Sequence, residues 1–122
     1  MLAQFLLEGL PPTVNTFYLR TARSVCRKPH VRLWQQNTTA LLASEWHNKP
    51  PLSEPLKLSI VFETSNHRKW DIDNRIKPLQ DCLERAGIIK NDRLIEYLHV
   101  RRIYSNNNLT HITLENSNEE EG

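Results

Sequence analysis

Glycine is scarce in this chain. Only three occur in 122 residues, and no G-x-x-x-x-G-K-[ST] or G-x-G-x-x-G phosphate loop is present. A G-x-S-x-G elbow is missing too, which excludes serine chemistry of the α/β-hydrolase type. Cysteine is rarer still. Cys26 and Cys82 stand far apart, form no C-x-x-C pair and give no zinc spacing. They read as reduced structural thiols of a cytoplasmic protein. The histidines at 30, 47, 67, 99 and 111 make no H-x-x-x-H pair, so a zincin is unsupported. An EF-hand opening at Asp71 needs glycine at 76 and glutamate at 82, where this chain has Ile76 and Cys82. No apolar run approaches the ~20 residues that span a bilayer, so no membrane role is expected. The apolar start, "MLAQFLLEGLPP", lacks a basic head and a cleavage site, carries Glu8 and breaks at Pro11-Pro12. It reads as a strand, not a signal peptide.

Acid is missing from one long stretch. Gly9 to Ser44 holds Arg20, Arg23, Arg27, Lys28 and Arg32 with no Asp or Glu. At the other end "ENSNEEEG", residues 115–122, holds four glutamates and no base. Setting those four aside leaves 10 acids against 16 Lys and Arg, a net +6 over residues 1–114. A locally basic body suits a polyanion such as nucleic acid, but on charge alone a merely soluble basic surface is the favoured reading. The composition, 39% hydrophobic and 25% charged, is that of one ordinary globular domain. The expected division is a domain over 1–114 and an acidic, disordered tail over 115–122.

Patterning predicts an α+β domain, a mixed sheet of about four strands with two main helices on one face. Residues 2–8 form the first strand, and 16–29 an extended loop or short hairpin. Val31, Trp34, Thr38, Leu41, Leu42 and Trp46 make one helical stripe, which ends at Asn48 to Pro51. Leu56, Leu58, Ile60 and Phe62 alternate as a strand. Ile72, Ile76, Leu79, Leu83 and Ala86 mark a second helix. It is expected to start near Asp73 or Asn74, either serving as N-cap, with some bending at Pro78 and a stop at Gly87. The alternating strand "LIEYLHVRRIYS" and "LTHITLE" are expected to pair as a hairpin across "SNNN".

The stretch "HRKWDIDNRIK", residues 67–77, sets Asp71 and Asp73 among Arg68, Lys69, Arg75 and Lys77. Two neighbouring carboxylates repel unless a proton or cation lies between them, and their hard oxygens suit Mg²⁺ or Mn²⁺. Lys77 stands four residues after Asp73, on the same helical face. It reads as a surface ion pair or as a cation beside a metal site. Asp92, in "KNDRLI", reaches the helix start only if the chain reverses after Gly87, because the helix is roughly 20 Å long. A capped helix with solvated charge and a metal-dependent phosphoryl-transfer site both remain open on these residues alone.

The longer stretch "WDIDNRIKPLQDCLERAGIIKNDRLIEYL", Trp70 to Leu98, resembles the signature region of the RusA family of Holliday junction resolvases. It shares the D-x-D-N, the lysine one turn on, the A-G-x-hydrophobic exit and the acid in the last turn. "LPPTVNTFY", Leu10 to Tyr18, resembles the family's opening segment. Where some relatives carry two acids in the last turn, this chain has Asn91 before Asp92. The resemblance implies a homodimeric, Mg²⁺-dependent endodeoxyribonuclease, with Mn²⁺ as substitute, that nicks four-way DNA junctions symmetrically in recombination and repair. The host would be a bacterium or its phage. The implied catalytic residues are Asp71, Asp73, Asp92 and Lys77, the three aspartates being metal ligands. Expected DNA contacts are Arg20, Arg23, Arg27, Lys28, Arg68, Lys69 and Arg75. Trp70 is either core or a stacking surface for unpaired bases, and His67 a phosphate neighbour or a plain loop residue. The dimer contact falls to the first strand or the Trp34 to Trp46 helix. The competing functions are a non-catalytic branched-DNA-binding protein and a nuclease preferring flaps or replication forks.

Overall fold

A computed structural model describes residues 1–13, 18–20, 25–27, 29–67 and 70–117, with the backbone alone for 18–20, 25–27 and residue 29. In chain order the elements are β1 (Ala3–Glu8), β2 (Tyr18–Arg20), β3 (Val25–Arg27), α1 (Pro29–Trp46), β4 (Leu56–Thr64), α2 (Ile76–Arg85), β5 (Ile95–Tyr104) and β6 (Leu109–Asn116). The strands β2 and β3 form a small antiparallel ladder of their own, where the sequence predicts an extended loop or a short hairpin. The other four make a mixed sheet in the order β1-β6-β4-β5, parallel only between β4 and β5.

Alternation decides which face is buried. Phe5 and Leu7 of β1, Leu56, Leu58, Ile60 and Phe62 of β4, and Ile112 and Leu114 of β6 enter one core with Leu42 and Trp46 of α1 and Leu79 and Leu83 of α2. Register puts Phe5, Ile112 and Ile60 side by side, so the helices cover a single face. Each fully buried aliphatic or aromatic side chain contributes about 1.5–3 kcal/mol. Cys82 is buried, and its Sγ lies 3.9 Å from the Gln35 carbonyl oxygen, joining α2 to α1.

Three expectations need correction. First, β5 and β6 do not pair, because β4 lies between them. The strand β4 is buried at every second residue, whereas β5 is exposed along most of its length. The sheet therefore keeps β4 central and leaves β5 as an edge, with charged side chains along it. Residues 105–108 cross the end of β4. The Ser105 N–H donates to the Thr64 carbonyl at 3.0 Å, and the Ser105 hydroxyl to Glu63 at 2.7 Å. Second, Leu41 is 47% exposed while Leu42 is buried. Adjacent helical residues diverge by about 100°, and α1 buries the Val31, Gln35, Thr38, Leu42 and Trp46 side. Third, α2 starts at Ile76, after a 3₁₀ turn over Ile72–Arg75. Arg75 holds its N-cap position, with no side-chain cap from Asp73 or Asn74. Pro78 falls in the first turn of α2, where its missing N–H has no helical partner to lose.

β6 runs on to Asn116, and residues 118–122 lie outside the described part of the chain. Among the described residues no helix is long and apolar enough to cross a membrane.

Candidate active site

Two partly buried side chains aim the acid pair. Trp70 packs edge-on against Phe62, with ring centroids 5.6 Å apart, and Ile72 packs on the same core. Alternation then leaves Asp71 and Asp73 exposed. Asp71 is extended (φ −73°, ψ 117°), and the 3₁₀ turn begins immediately after it. Both aspartates line one open cleft of about 440 Å³ with Trp70, Ile72, Arg102 and Tyr104. The Asn74 amide reaches Asp71 Oδ2 at 3.4 Å.

The third acid is returned by a sequence of local bonds. Gly87 follows the α2 C-cap at φ +76°, a left-handed conformation that costs glycine little. Its N–H donates to the Glu84 carbonyl at 3.1 Å, and the Ile88 N–H to the Leu83 carbonyl at 3.0 Å. That pair of bonds is a Schellman closure, with Leu83 and Ile88 both fully buried beneath it. The chain then pairs with Leu52 through Leu52 N–H to Ile88 C=O (2.8 Å) and Lys90 N–H to Leu52 C=O (2.9 Å). Asn91 Oδ1 accepts the Arg93 N–H at 2.8 Å and sets the next turn. Glu84 Oε1 accepts the Asp92 N–H at 2.9 Å. Asp92 Oδ2 thereby meets Lys77 Nζ at 3.0 Å.

Lys77 also meets Asp81 at 3.0 Å, one turn along α2. The bonds to Asp92 first and Asp81 second hold its pKa above the ordinary lysine value, so it is a cation at neutral pH. Asp92 thus reaches the lysine, while Asp71 and Asp73 share the cleft beside Trp70. Among the described residues no three acidic, histidine or cysteine groups are grouped closely enough to hold a metal ion.

Arg75 and Arg102 flank Trp70. The Arg75 guanidinium carbon is 4.6 Å from the Trp70 ring centroid, and the group donates to the Pro11 carbonyl. Burial lowers its pKa from the ordinary arginine value. The Arg102 guanidinium lies 5.0 Å from the same ring and donates to the Trp70 carbonyl. Arg23, Lys28, Arg68 and Lys69 lie outside the described residues, and Arg20 and Arg27 are described in backbone only. Sequence reasoning missed Arg102, Tyr104, Asp81 and Glu84. For the first two the sequence offered only their shared parity along β5; their place opposite Phe62 and Thr64 comes with the fold. For the acids it was the four-residue step from Lys77 to Asp81 and the eight-residue return from Glu84 to Asp92.

A small α+β domain whose exposed Asp71 and Asp73 share an open cleft with Arg102, and whose Lys77 pairs with Asp92 at the start of α2, fits the class of small phosphodiester-cleaving enzymes. The family model of endodeoxyribonuclease RusA matches residues 8–115, from the end of β1 into β6, and the chain belongs to that family of endodeoxyribonucleases. Over 94 residues it is 33% identical to the crossover junction endodeoxyribonuclease RusA of Aquifex aeolicus (strain VF5), covering 76% of this chain and 74% of that protein.

Proposed function

We propose that this nuclease resolves four-way DNA junctions by paired symmetric nicks, acting as a homodimer with Mg²⁺ or, in its place, Mn²⁺. The observation that carries this reading is the cleft lined by Asp71 and Asp73, together with the return of Asp92 to Lys77 at the start of α2. The printed name of the Aquifex relative supports the choice of a crossover junction as substrate.

The three carboxylates suit a hard divalent cation in kind, Asp71 and Asp73 being exposed to solvent, but the described geometry does not group Asp92 with the other two. Asp71, Asp73 and Asp92 would hold the ion, which when bound supplies an activated water and neutralises charge on the phosphate. Lys77 carries fixed positive charge for the phosphate oxygens. The side chains of Arg20, Arg23, Arg27, Lys28, Arg68 and Lys69, with Arg75 from its seat against Trp70, hold the DNA backbone. A junction has approximate two-fold symmetry, and a two-fold dimer matches it. Exposed Leu2 and Leu6 of the β1 region, or Leu33 and Leu41 of α1, supply the apolar contact.

A panel of branched DNAs tests the substrate. With Mg²⁺, the four-way junction should be nicked faster than flaps, forks or duplex, at two symmetric positions. Faster cutting of flaps or forks transfers the assignment to them. Tight junction binding without cutting of any substrate makes the protein an architectural binder instead.

A further inference from the structure

Five planar groups, three of which line the cleft, form an unbroken series of ring contacts. Arg75 lies 4.6 Å from the Trp70 ring, and Arg102 lies 5.0 Å from that ring on its way to Tyr104, whose ring it meets at 5.6 Å. Tyr104 then stacks with His67, centroids 5.2 Å apart and planes 16° from parallel. Near one end, next to Arg75, the series is fixed to the core, because Trp70 packs on the fully buried Phe62. The other end is open to solvent: Tyr104 is 46% exposed and His67 is exposed. Trp70, Arg102 and Tyr104 line the same cleft as Asp71 and Asp73.

We infer that the Tyr104–His67 end of this series is a stacking subsite for one unpaired nucleobase next to the phosphate to be cut. Flat, exposed rings supported from beneath accept any base face, with little ordering left to be done when the base arrives. Alternation with guanidinium groups suits the site to a polyanion. A base seated there has its phosphate directed along the wall that carries Arg102 and the two aspartates. A paired base inside a duplex cannot reach such a platform, but one at a branch point can, since unpairing there costs less. The subsite would therefore favour branched over continuous DNA. This inference rests on the nuclease reading for its substrate, but its geometry stands on the ring contacts alone.

The probe is a four-way junction carrying one unpaired 2-aminopurine at the crossover, bound in EDTA so that binding is read without cutting. Wild-type protein should quench the fluorophore on binding. The variant His67→Ala/Tyr104→Ala should leave it bright and bind on the order of tenfold more weakly. Tyr104→Phe, which keeps the ring, should quench as wild type does, and His67→Ala alone should quench less. Both positions are exposed, and an unchanged urea midpoint checks that each variant is folded. Equal quenching by the double variant and wild type overturns the subsite, as does wild-type cutting without quenching. Quenching by wild type with no cutting after Mg²⁺ is restored supports the subsite and removes the junction-resolving assignment.

Discussion

Trp70 is the residue at which core and cleft meet. Its ring packs on Phe62, and two guanidinium groups lie within 5.0 Å of the ring centroid. Its position, one residue before Asp71, ties the acid pair to the hydrophobic core. Trp70→Ala should destabilise the fold by about 2–4 kcal/mol, read from urea unfolding, since truncating a packed aromatic leaves a cavity. A change below about 0.5 kcal/mol would show that the ring carries no packing. On the opposite face of the sheet, Glu63 accepts bonds from His111 (3.0 Å), Ser105 (2.7 Å) and Asn107 (3.2 Å). These, His111 first, hold its pKa below the ordinary 4.5. A lowered carboxyl pKa contributes stability that is complete above the unfolded value and disappears as pH falls through the folded one. Wild-type stability should therefore fall more steeply with acid below about pH 4.5 than that of Glu63→Gln, followed by thermal melts at stepped pH. At this scale the D-x-D spacing and Lys77 were legible, because their chemistry sits within seven residues of sequence. Arg102 and Tyr104 were not, because only the parallel register of β5 on β4 brings them to the cleft wall.

Elements were legible where periodicity alone decides them. β4 follows its apolar repeat, α1 follows its own except at Leu41, and the end of α1 is marked by His47 and Asn48 at φ 56° and 58°. Pairing was not legible. The strands β5 and β6 carry hairpin-like patterns either side of "SNNN", yet each pairs with β4, and nothing in a strand's own alternation names its neighbour. The start of α2 was equally hidden, since a 3₁₀ turn and an α-turn place Asp73 and Asn74 alike in a helical pattern. The return of Asp92, left open by the sequence, rests on one conformation. Gly87→Ala forces a side chain into left-handed backbone and should cost about 1–2 kcal/mol in urea unfolding. It should also lower nicking by more than the loss of folded protein accounts for, because the Gly87 closure sets the path that brings Asp92 to Lys77. Full specific activity per folded molecule would separate the turn from the site.

At the scale of the whole molecule, the mixed sheet with helices on one face follows the composition and the order of elements. Its basic charge gives a further expectation. Junction affinity should fall steeply with salt, by about 0.9 in log K per phosphate contact for each unit of log salt. Arg20→Ala, Arg23→Ala and Arg27→Ala should each reduce that slope by about one contact, measured by titrations at stepped ionic strength. An unchanged slope would remove the residue from the DNA surface. The central claim is that Asp71 and Asp73 belong to the cutting machinery rather than to a solvated helix end. The direct measurement is Mg²⁺-dependent nicking of a synthetic four-way junction by wild type, Asp71→Asn and Asp73→Asn, with binding followed in parallel. Loss of nicking by about a hundredfold or more in both variants, with junction binding retained, is the predicted result. Nicking at the wild-type rate in either variant would contradict it.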